Sequence, residues 1–184
     1  MRIIGGKLKG RKLNAPKNLP ARPTKDITKE SLFNILHNRY FFDEIRALDL
    51  FSGTGNIAFE FASRGTPSVL AVDRHPGSIR FIKETARKWD LPVSPVRSDV
   101  LQFLSYPPVE PFDVIFADPP YDMPTEELRK IIELIMENGF LSPEGILILE
   151  HHKKIRLDDL PFFRQAKTYG HSVLSFFENT DNAD

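Results

Sequence analysis

The stretch ALDLFSGTGNIAFEFA, residues 47–62, decides the fold of this chain. It opens with a short apolar run, passes through small residues that include Gly53 and Gly55, and continues with apolar residues at helical spacing that stop before Gly65. This order predicts a buried strand, a glycine loop and a helix. Small residues let a ligand approach the loop backbone, and the first turn of the helix offers free amide groups. The stretch therefore predicts a site for a nucleoside-containing cofactor.

Strand and helix patterns alternate along the rest of the chain. Strand patterns cover Ser68 to Val72, Val93 to Arg97, Phe112 to Ala117 and Gly145 to Glu150, and helix patterns lie at 24–36, 79–89 and 128–136. Apolar residues on both sides of Gly170 predict two antiparallel strands joined by a turn. Alternating β and α units are typical of a parallel sheet with helices on both faces and ligands at the carboxyl ends of its strands. We therefore expect an α/β fold.

The length and the composition predict one domain. With 184 residues, of which 41% are hydrophobic, the chain can fill one core of ordinary size. We expect a basic hairpin or arm over residues 1–22, with Gly5, Gly6 and Gly10 in its turns, and a core over residues 23–184. The absence of cysteine, of a secretory signal and of a long apolar run leads us to expect a cytoplasmic protein.

The charge is distributed unevenly. Eight of the 25 Lys and Arg lie in the first 25 residues, which contain no acid, so the remainder, with all 25 acidic residues, has a net charge of −8. A basic segment of this kind suits a polyanion such as nucleic acid, because Lys and Arg release counterions when they meet phosphates. A solvated terminus would explain the same charge. The charge alone leaves both interpretations open.

Two acids follow predicted strands at positions suited to a nucleoside. Asp73 comes 18 positions after Gly55, where a carboxylate can accept hydrogen bonds from ribose hydroxyls. The same glycines and acid also satisfy the dinucleotide fingerprint, so this half of the chain does not separate a dehydrogenase from a methyltransferase. Asp99 could accept a hydrogen bond from an adenine amine, or it could cap a helix.

Asp118-Pro119-Pro120-Tyr121, directly after the fourth predicted strand, favours the methyltransferase. An exocyclic base amine is a poor nucleophile, and acceptors aimed at its two N–H bonds favour the form that attacks a methyl group. Asp118 and the Pro119 carbonyl can be these acceptors, and Tyr121 offers a face for a flipped base. Such chemistry requires no metal, and we expect no metal site. We expect His151 and His152 to form a solvated pair.

At this point the sequence resembles the class I methyltransferases and, more closely, the RsmD family of small-subunit rRNA guanine-N(2) methyltransferases. The resemblance runs almost end to end. It rests on Arg2-Ile3-Ile4-Gly5-Gly6 with Gly10-Arg11-Lys12-Leu13, on Arg22-Pro23-Thr24 with Glu30-x-Leu32-Phe33-Asn34, on residues 48–55, and on the Asp118 motif. Lys29 stands where such proteins usually have Arg, and Asp73 where Glu is more common.

The resemblance implies a Rossmann-like, seven-stranded, mostly parallel sheet with an antiparallel strand near one edge, preceded by a small β-hairpin that grips RNA. It also implies S-adenosyl-L-methionine as cofactor and a guanine of 16S rRNA, in an assembled or partly assembled 30S subunit, as substrate. We expect a monomer. Asp118, Pro119, Pro120 and Tyr121 are then the catalytic residues. The expected cofactor residues are Thr24, Glu30, Asp49, Phe51, Ser52, Gly53, Thr54, Gly55, Asn56, Asp73, Arg74, Asp99 and Val100, and the expected RNA contacts are Arg2, Lys7, Lys9, Arg11, Lys12, Arg22 and Lys29.

Three other functions remain open. An adenine-amine methyltransferase acting on DNA or RNA would use the same Asp118 loop, although 184 residues leave little room for a domain that reads a DNA sequence. A nicotinamide-dependent oxidoreductase would explain the glycine loop but gives the Asp118 loop no task. An RNA-binding assembly factor could keep the cofactor fold without turnover.

Overall fold

The structure is a computed structural model that describes residues 1–20 and 24–179. Its elements in chain order are α1 (Asp26–His37), a 3-10 turn (Phe42–Glu44), β1 (Arg46–Leu50), α2 (Asn56–Ser63), β2 (Ser68–Asp73), α3 (Pro76–Lys88), β3 (Val93–Arg97), α4 (Val100–Leu104), β4 (Phe112–Ala117), α5 (Thr125–Glu137), β5 (Leu141–His152), β6 (Phe163–Tyr169) and β7 (Ser172–Phe177).

The strands form a seven-stranded sheet in the order β3-β2-β1-β4-β5-β7-β6. The pairs β1 with β2, β2 with β3, and β4 with β5 are parallel, whereas β7 is antiparallel to both β5 and β6. The predicted α/β fold with a seven-stranded, mostly parallel sheet and an antiparallel strand near one edge is therefore confirmed. The chain divides into two compact units, Met1–Ser98 and Asp99–Asp184, which we describe in turn.

The first unit is organised around α2, in which every residue is buried. Its core includes a cluster of aromatic rings from three elements, in which Phe33 of α1 meets Phe61 of α2 edge to face with 4.8 Å between ring centroids. A helix that is buried on all sides must be covered away from the sheet as well. The N-terminal residues provide part of this cover.

The predicted N-terminal hairpin is present and small. A single antiparallel bridge joins Arg2 to Lys12, and the N–H of Ile3 donates to the Arg11 carbonyl at 2.8 Å. Ile3 and Leu13 are buried. The backbone between these residues lies against the end of α2, where the N–H of Lys7 donates to the Ser63 carbonyl at 2.8 Å.

In the second unit, β5 is longer than its apolar run. The strand begins at Leu141, which pairs with Phe112, and it continues to His152, which pairs with Ser172 of β7. The sequence predicted only Gly145 to Glu150, since polar residues flank that run. The short helix α4 was expected only as the alternative in which Asp99 caps a helix, because five residues are too few to show helical periodicity.

Candidate functional site

The glycine loop between β1 and α2 is held by the acid at the end of β2. Gly53 and Gly55 have φ angles of 56° and 80°, in the left-handed region that favours glycine. The N–H of Gly53 donates to Asp73 Oδ2 at 2.9 Å, and the N–H of His75 donates to Asp73 Oδ1 at 2.9 Å. A Cβ at Gly55 would approach the Phe59 ring to 2.8 Å. Asp73 therefore fixes the loop, and its half-buried carboxylate keeps lone pairs for a ligand.

Asp49, at the carboxyl end of β1, is buried beneath the same loop. Its Oδ2 accepts a hydrogen bond from the N–H of Ala58 at 3.1 Å, in the first turn of α2. Burial raises the pKa of Asp49 to about 8; the Ala58 hydrogen bond opposes this rise, and the negative charge of Asp73 adds to it. Asp49 near the end of β1 and Asp73 at the end of β2 thus have different surroundings.

Two side chains of this loop region hold polar atoms that nothing satisfies among the described residues. Ser52 Oγ and Asn56 Nδ2 are both buried, and neither has a hydrogen-bond partner there. Buried polar atoms are normally paired, so such orphans mark a position where a bound molecule can supply the partner. The glycine loop, its supporting acid and these two orphans together fit a polar ligand with several hydrogen-bonding groups.

The other residues predicted to bind the cofactor have varied positions in this unit. Phe51 is half-buried in the loop, Thr54 is buried and donates to Met1 Sδ at 3.4 Å, and Arg74 is exposed after β2. Thr24 is buried before α1, and Glu30 is exposed on α1. The structure brings together residues 51–56 with Asp49 and Asp73. A cofactor contact stays a prediction for each of these positions and for the others.

Lys29 is a correction to the predicted RNA contacts. Its side chain is fully buried, and its Nζ lies 2.9 Å from Glu60 Oε1, 2.8 Å from Asn56 Oδ1 and 2.7 Å from the Arg2 carbonyl. Burial lowers the pKa of Lys29, although the Glu60 carboxylate opposes this. An ammonium in this position holds the fold together and is not presented to RNA.

Glu60 is the partner that the sequence analysis missed. Besides Lys29, its carboxylate accepts hydrogen bonds from the backbone N–H of Ile4 at 2.9 Å and of Gly5 at 3.0 Å, and it pairs with Arg64 at 2.9 Å. The signal was present, since an acid within an apolar helix is rare without a partner. Glu60 joins the hairpin to α2, and Lys29 joins the hairpin to the residue that follows the glycine loop.

The remaining basic side chains of the hairpin lie at the surface. Lys7, Lys9 and Lys12 are exposed, as are Arg2 and Arg11. Arg2 pairs with Asp26 at 3.4 Å, and the guanidinium of Arg11 lies 5.6 Å from the centroid of the Trp89 ring. The hairpin therefore presents a cationic surface, as predicted. Arg22, also predicted to contact RNA, lies outside the described residues.

In the second unit, the Asp118 loop begins where β4 ends at Ala117. The consecutive prolines stop the strand, since neither can donate to the sheet. Asp118 is half-buried and Pro119 is buried, whereas Pro120 is exposed. Tyr121 is 46% exposed, and its hydroxyl lies 3.1 Å from Ser172 Oγ. The loop thus presents a carboxylate, a rigid backbone and one aromatic face.

Asp99 caps a helix, the alternative that its sequence context left open. Its Oδ1 accepts a hydrogen bond from the N–H of Gln102 at 3.1 Å, in the first turn of α4, and Val100 is buried as the first residue of that helix. An adenine contact from the exposed side of this carboxylate stays a prediction.

His151 is not solvated as predicted. It belongs to β5 and is buried, with its Nε2 2.7 Å from Ser175 Oγ. Burial lowers the pKa of His151, so the ring is neutral at neutral pH. His152 is half-buried at the end of the strand. The error arose because β5 extends beyond its apolar run.

Neither a metal cluster nor a membrane span is found in the described part of the chain. Over residues 1–20 and 24–179, no three or more His, Cys, Asp or Glu side chains are placed to hold a metal ion. Within the same ranges, no helix combines the length and the apolar character needed to cross a bilayer.

Comparisons with known proteins show similarity over most of the chain. The model of the family described as conserved hypothetical protein 95 matches residues 1–178. The Bacillus subtilis protein YlbH is 33% identical over 186 residues, which cover 97% of this chain and 98% of that protein. A protein of Escherichia coli K12 named ribosomal RNA small subunit methyltransferase D is 32% identical over 163 residues, which cover 88% of this chain and 79% of that protein.

The fold has a close counterpart among solved structures. A structure from Escherichia coli superimposes with a TM-score of 0.85 at 27% identity, and the match covers 97% of each chain. The shared fold therefore extends over nearly the whole chain.

Proposed function

Because the chain belongs to the family described as conserved hypothetical protein 95, we propose that it is an S-adenosylmethionine-dependent methyltransferase that modifies N(2) of a guanine in 16S rRNA. The relative from Escherichia coli is, by its name, a ribosomal RNA small subunit methyltransferase. The observation that carries the proposal is the Asp118 loop at the end of buried β4, with its carboxylate, its rigid prolines and its exposed tyrosine face.

The first unit supplies the cofactor site. S-adenosylmethionine, when bound, provides a methyl group activated by a sulfonium. The half-buried carboxylate of Asp73 suits the ribose hydroxyls, and Ser52 Oγ and Asn56 Nδ2 can find their missing partners on the ligand. Asp49 keeps the first turn of α2 in place beneath it.

The second unit supplies the groups that act on the acceptor. The Asp118 carboxylate and the Pro119 carbonyl accept hydrogen bonds from the two N–H bonds of the guanine amine, while Tyr121 supports the flipped base. These bonds would draw the nitrogen lone pair out of conjugation and so make the amine nucleophilic toward the activated methyl group that S-adenosylmethionine would supply. The displaced amine proton passes to Asp118 or to water.

The hairpin supplies the cationic surface for RNA. The exposed Lys7, Lys9, Arg11 and Lys12 suit phosphates and carry no base specificity of their own. We place the substrate in the 30S subunit or its assembly intermediates, and hence the protein in the cytoplasm, acting as a monomer and as a single functional domain.

The test is transfer of labelled methyl from S-adenosylmethionine to 16S rRNA and to 30S particles from cells that lack the gene. Nucleoside analysis of the product should find the label in N(2)-methylguanosine. Label in methyladenosine would show that the substrate base is adenine and not guanine. Tight cofactor binding without label would favour the assembly factor, and binding of NAD in place of S-adenosylmethionine would favour the oxidoreductase.

The Asp118→Ala variant tests the carboxylate itself. We expect it to lose about 100-fold or more in kcat with unchanged cofactor affinity, because the acceptor acts on the amine in the transition state. Asp158→Ala, an exposed acid that pairs with Arg156, is the matched control and should keep full activity. A loss of only a few-fold in the Asp118 variant would refute the role.

A further inference from the structure

We propose that Tyr121, His152 and His171 form a stacking surface for a second base, the one next to the methylated guanine in single-stranded RNA. This inference rests on the proposed function and adds a subsite to it. We call these three residues the aromatic platform. It lies wholly within the second unit, and it uses two histidines to which the methyl-transfer chemistry gives no task.

The three rings are close to one another and ordered. The Tyr121 and His152 rings meet edge to face, with 5.9 Å between centroids and an interplanar angle of 78°. The His152 and His171 rings are nearly parallel, with an interplanar angle of 6° and 6.2 Å between their centroids. His152 is half-buried, while Tyr121 and His171 are exposed. The platform therefore continues from the tyrosine of the Asp118 loop and offers further aromatic surface to solvent.

Backbone and side-chain contacts position the three residues of the platform. His171 lies with Gly170 in the two-residue turn between β6 and β7, and its carbonyl accepts a hydrogen bond from the N–H of Lys153 at 3.0 Å. His152 pairs in the sheet with Ser172, whose Oγ lies 3.1 Å from the Tyr121 hydroxyl. The end of β5 and the β6–β7 turn thus hold the backbone of both histidines in place, and the contact with Ser172 positions the Tyr121 ring, which lowers the entropic cost of stacking.

The surroundings favour RNA as the occupant. Bases of single-stranded RNA stack on tyrosine and histidine rings, and nearby cations meet the phosphates. Lys153 and Lys154 follow His152 directly, and both are exposed. Across the described residues, no group of three or more potential ligands is placed to bind a metal, so these histidines are not arranged as part of such a site.

The experiment uses two short single-stranded RNAs that contain one guanine, with 2-aminopurine placed on its 5′ side in one and on its 3′ side in the other. Stacking quenches 2-aminopurine fluorescence, so binding is detected without turnover. The full-length protein is compared with His171→Ala, His171→Phe and Tyr106→Ala. Tyr106 is 71% exposed in the same unit, outside the platform, and is the matched control.

We expect quenching with one of the two RNAs. His171→Ala should weaken binding of that RNA about 5- to 150-fold, the range of one base stacked on an aromatic ring. His171→Phe should restore it, and Tyr106→Ala should leave it unchanged. In a methylation assay, the base that stacks on the platform is replaced by an abasic residue. This replacement should raise KM for the parent enzyme, whereas it should not raise KM further for His171→Ala.

Equal quenching by the parent and His171→Ala would overturn the platform. So would a loss of kcat in His171→Ala that is independent of the neighbouring base, because the histidines would then only position Tyr121. Methyl transfer without a His171 effect would leave the proposed function intact and remove the subsite. Quenching that depends on His171 without methyl transfer would keep the RNA subsite and refute the proposed reaction.

Discussion

Asp49 should make the stability of the protein depend on pH. Its folded pKa of about 8 lies above the ordinary value of 3.8, so folding favours the protonated form. The stabilisation is therefore complete below about pH 4, decreases as the pH rises, and is gone above about pH 8, with a slope of at most about 1.4 kcal/mol per pH unit. The measurement is the free energy of unfolding in urea at pH 5, 6, 7 and 8. Asp49→Asn, which keeps an acceptor for the Ala58 N–H, should show a flatter profile. Parallel profiles would contradict the assignment.

Lys29 should matter for stability and not for RNA directly. Lys29→Met leaves the buried Glu60 carboxylate without its ammonium, and breaking a buried pair typically costs about 3 kcal/mol or more. Lys25→Met, at an exposed lysine one turn away, should change the free energy of unfolding by no more than about 0.5 kcal/mol. Urea unfolding of both variants gives the comparison. An effect of similar size in both would mean that the buried network contributes little.

Single residues were predictable to different degrees. The positions of the Asp118 loop and the glycine loop could be predicted, because each follows a buried strand whose end is marked by its prolines or glycines. Lys29 was misassigned, because a lysine in a basic segment resembles an RNA contact until its partner is known, and Glu60 lies 31 positions away in sequence. The unsatisfied Ser52 and Asn56 atoms could not be foreseen either, since burial depends on packing.

At the level of elements, the docking of the hairpin on α2 depends on Gly6. Its φ is 77°, and a Cβ there would lie 1.9 Å from the Ser63 carbonyl oxygen. Gly10 has a φ of 87°, but a Cβ there would meet open space. Ala at either position incurs about 1–2 kcal/mol of left-handed strain, and only Gly6→Ala adds the clash. We expect Gly6→Ala to be the less stable variant by at least about 1 kcal/mol in urea unfolding.

Hydrogen exchange provides a second readout of the same docking. The amides of Lys7 and Leu8 donate to Ser63, to its carbonyl at 2.8 Å and its hydroxyl at 3.0 Å. Both amides should lose protection in Gly6→Ala and keep it in Gly10→Ala. Unchanged protection in Gly6→Ala would show that the hairpin is held by other contacts.

Element existence followed from periodicity, whereas element ends did not. The buried strands and α5 were evident as apolar runs or stripes. The ends of β5 were missed because pairing with Phe112 and with β7 extends the strand through polar residues. The hairpin was predicted from its glycines, but its docking could not be, because that requires knowing that α2 has a buried outer face.

For the molecule as a whole, the net charge is zero, but positive charge is concentrated in the N-terminal segment that contains the hairpin, and the remainder of the chain is acidic. If Lys9, Arg11 and Lys12 meet phosphates, each contact contributes counterion release, so binding to 16S rRNA weakens with salt. Log affinity falls as log salt concentration rises, and reversal of all three residues to Glu should reduce the magnitude of this negative slope by about 2 to 3.

The matched control reverses three exposed basic residues outside the hairpin, Arg80 and Lys83 on α3 and Lys130 on α5, so the net charge changes equally. A general effect of net charge would reduce affinity alike in both triple variants, whereas a localised interface reduces the slope only in the hairpin variant. Filter binding over a series of salt concentrations separates the two. Equal slopes in the parent and the hairpin variant would refute the assignment of the hairpin as the phosphate-binding surface, even if methyl transfer continued.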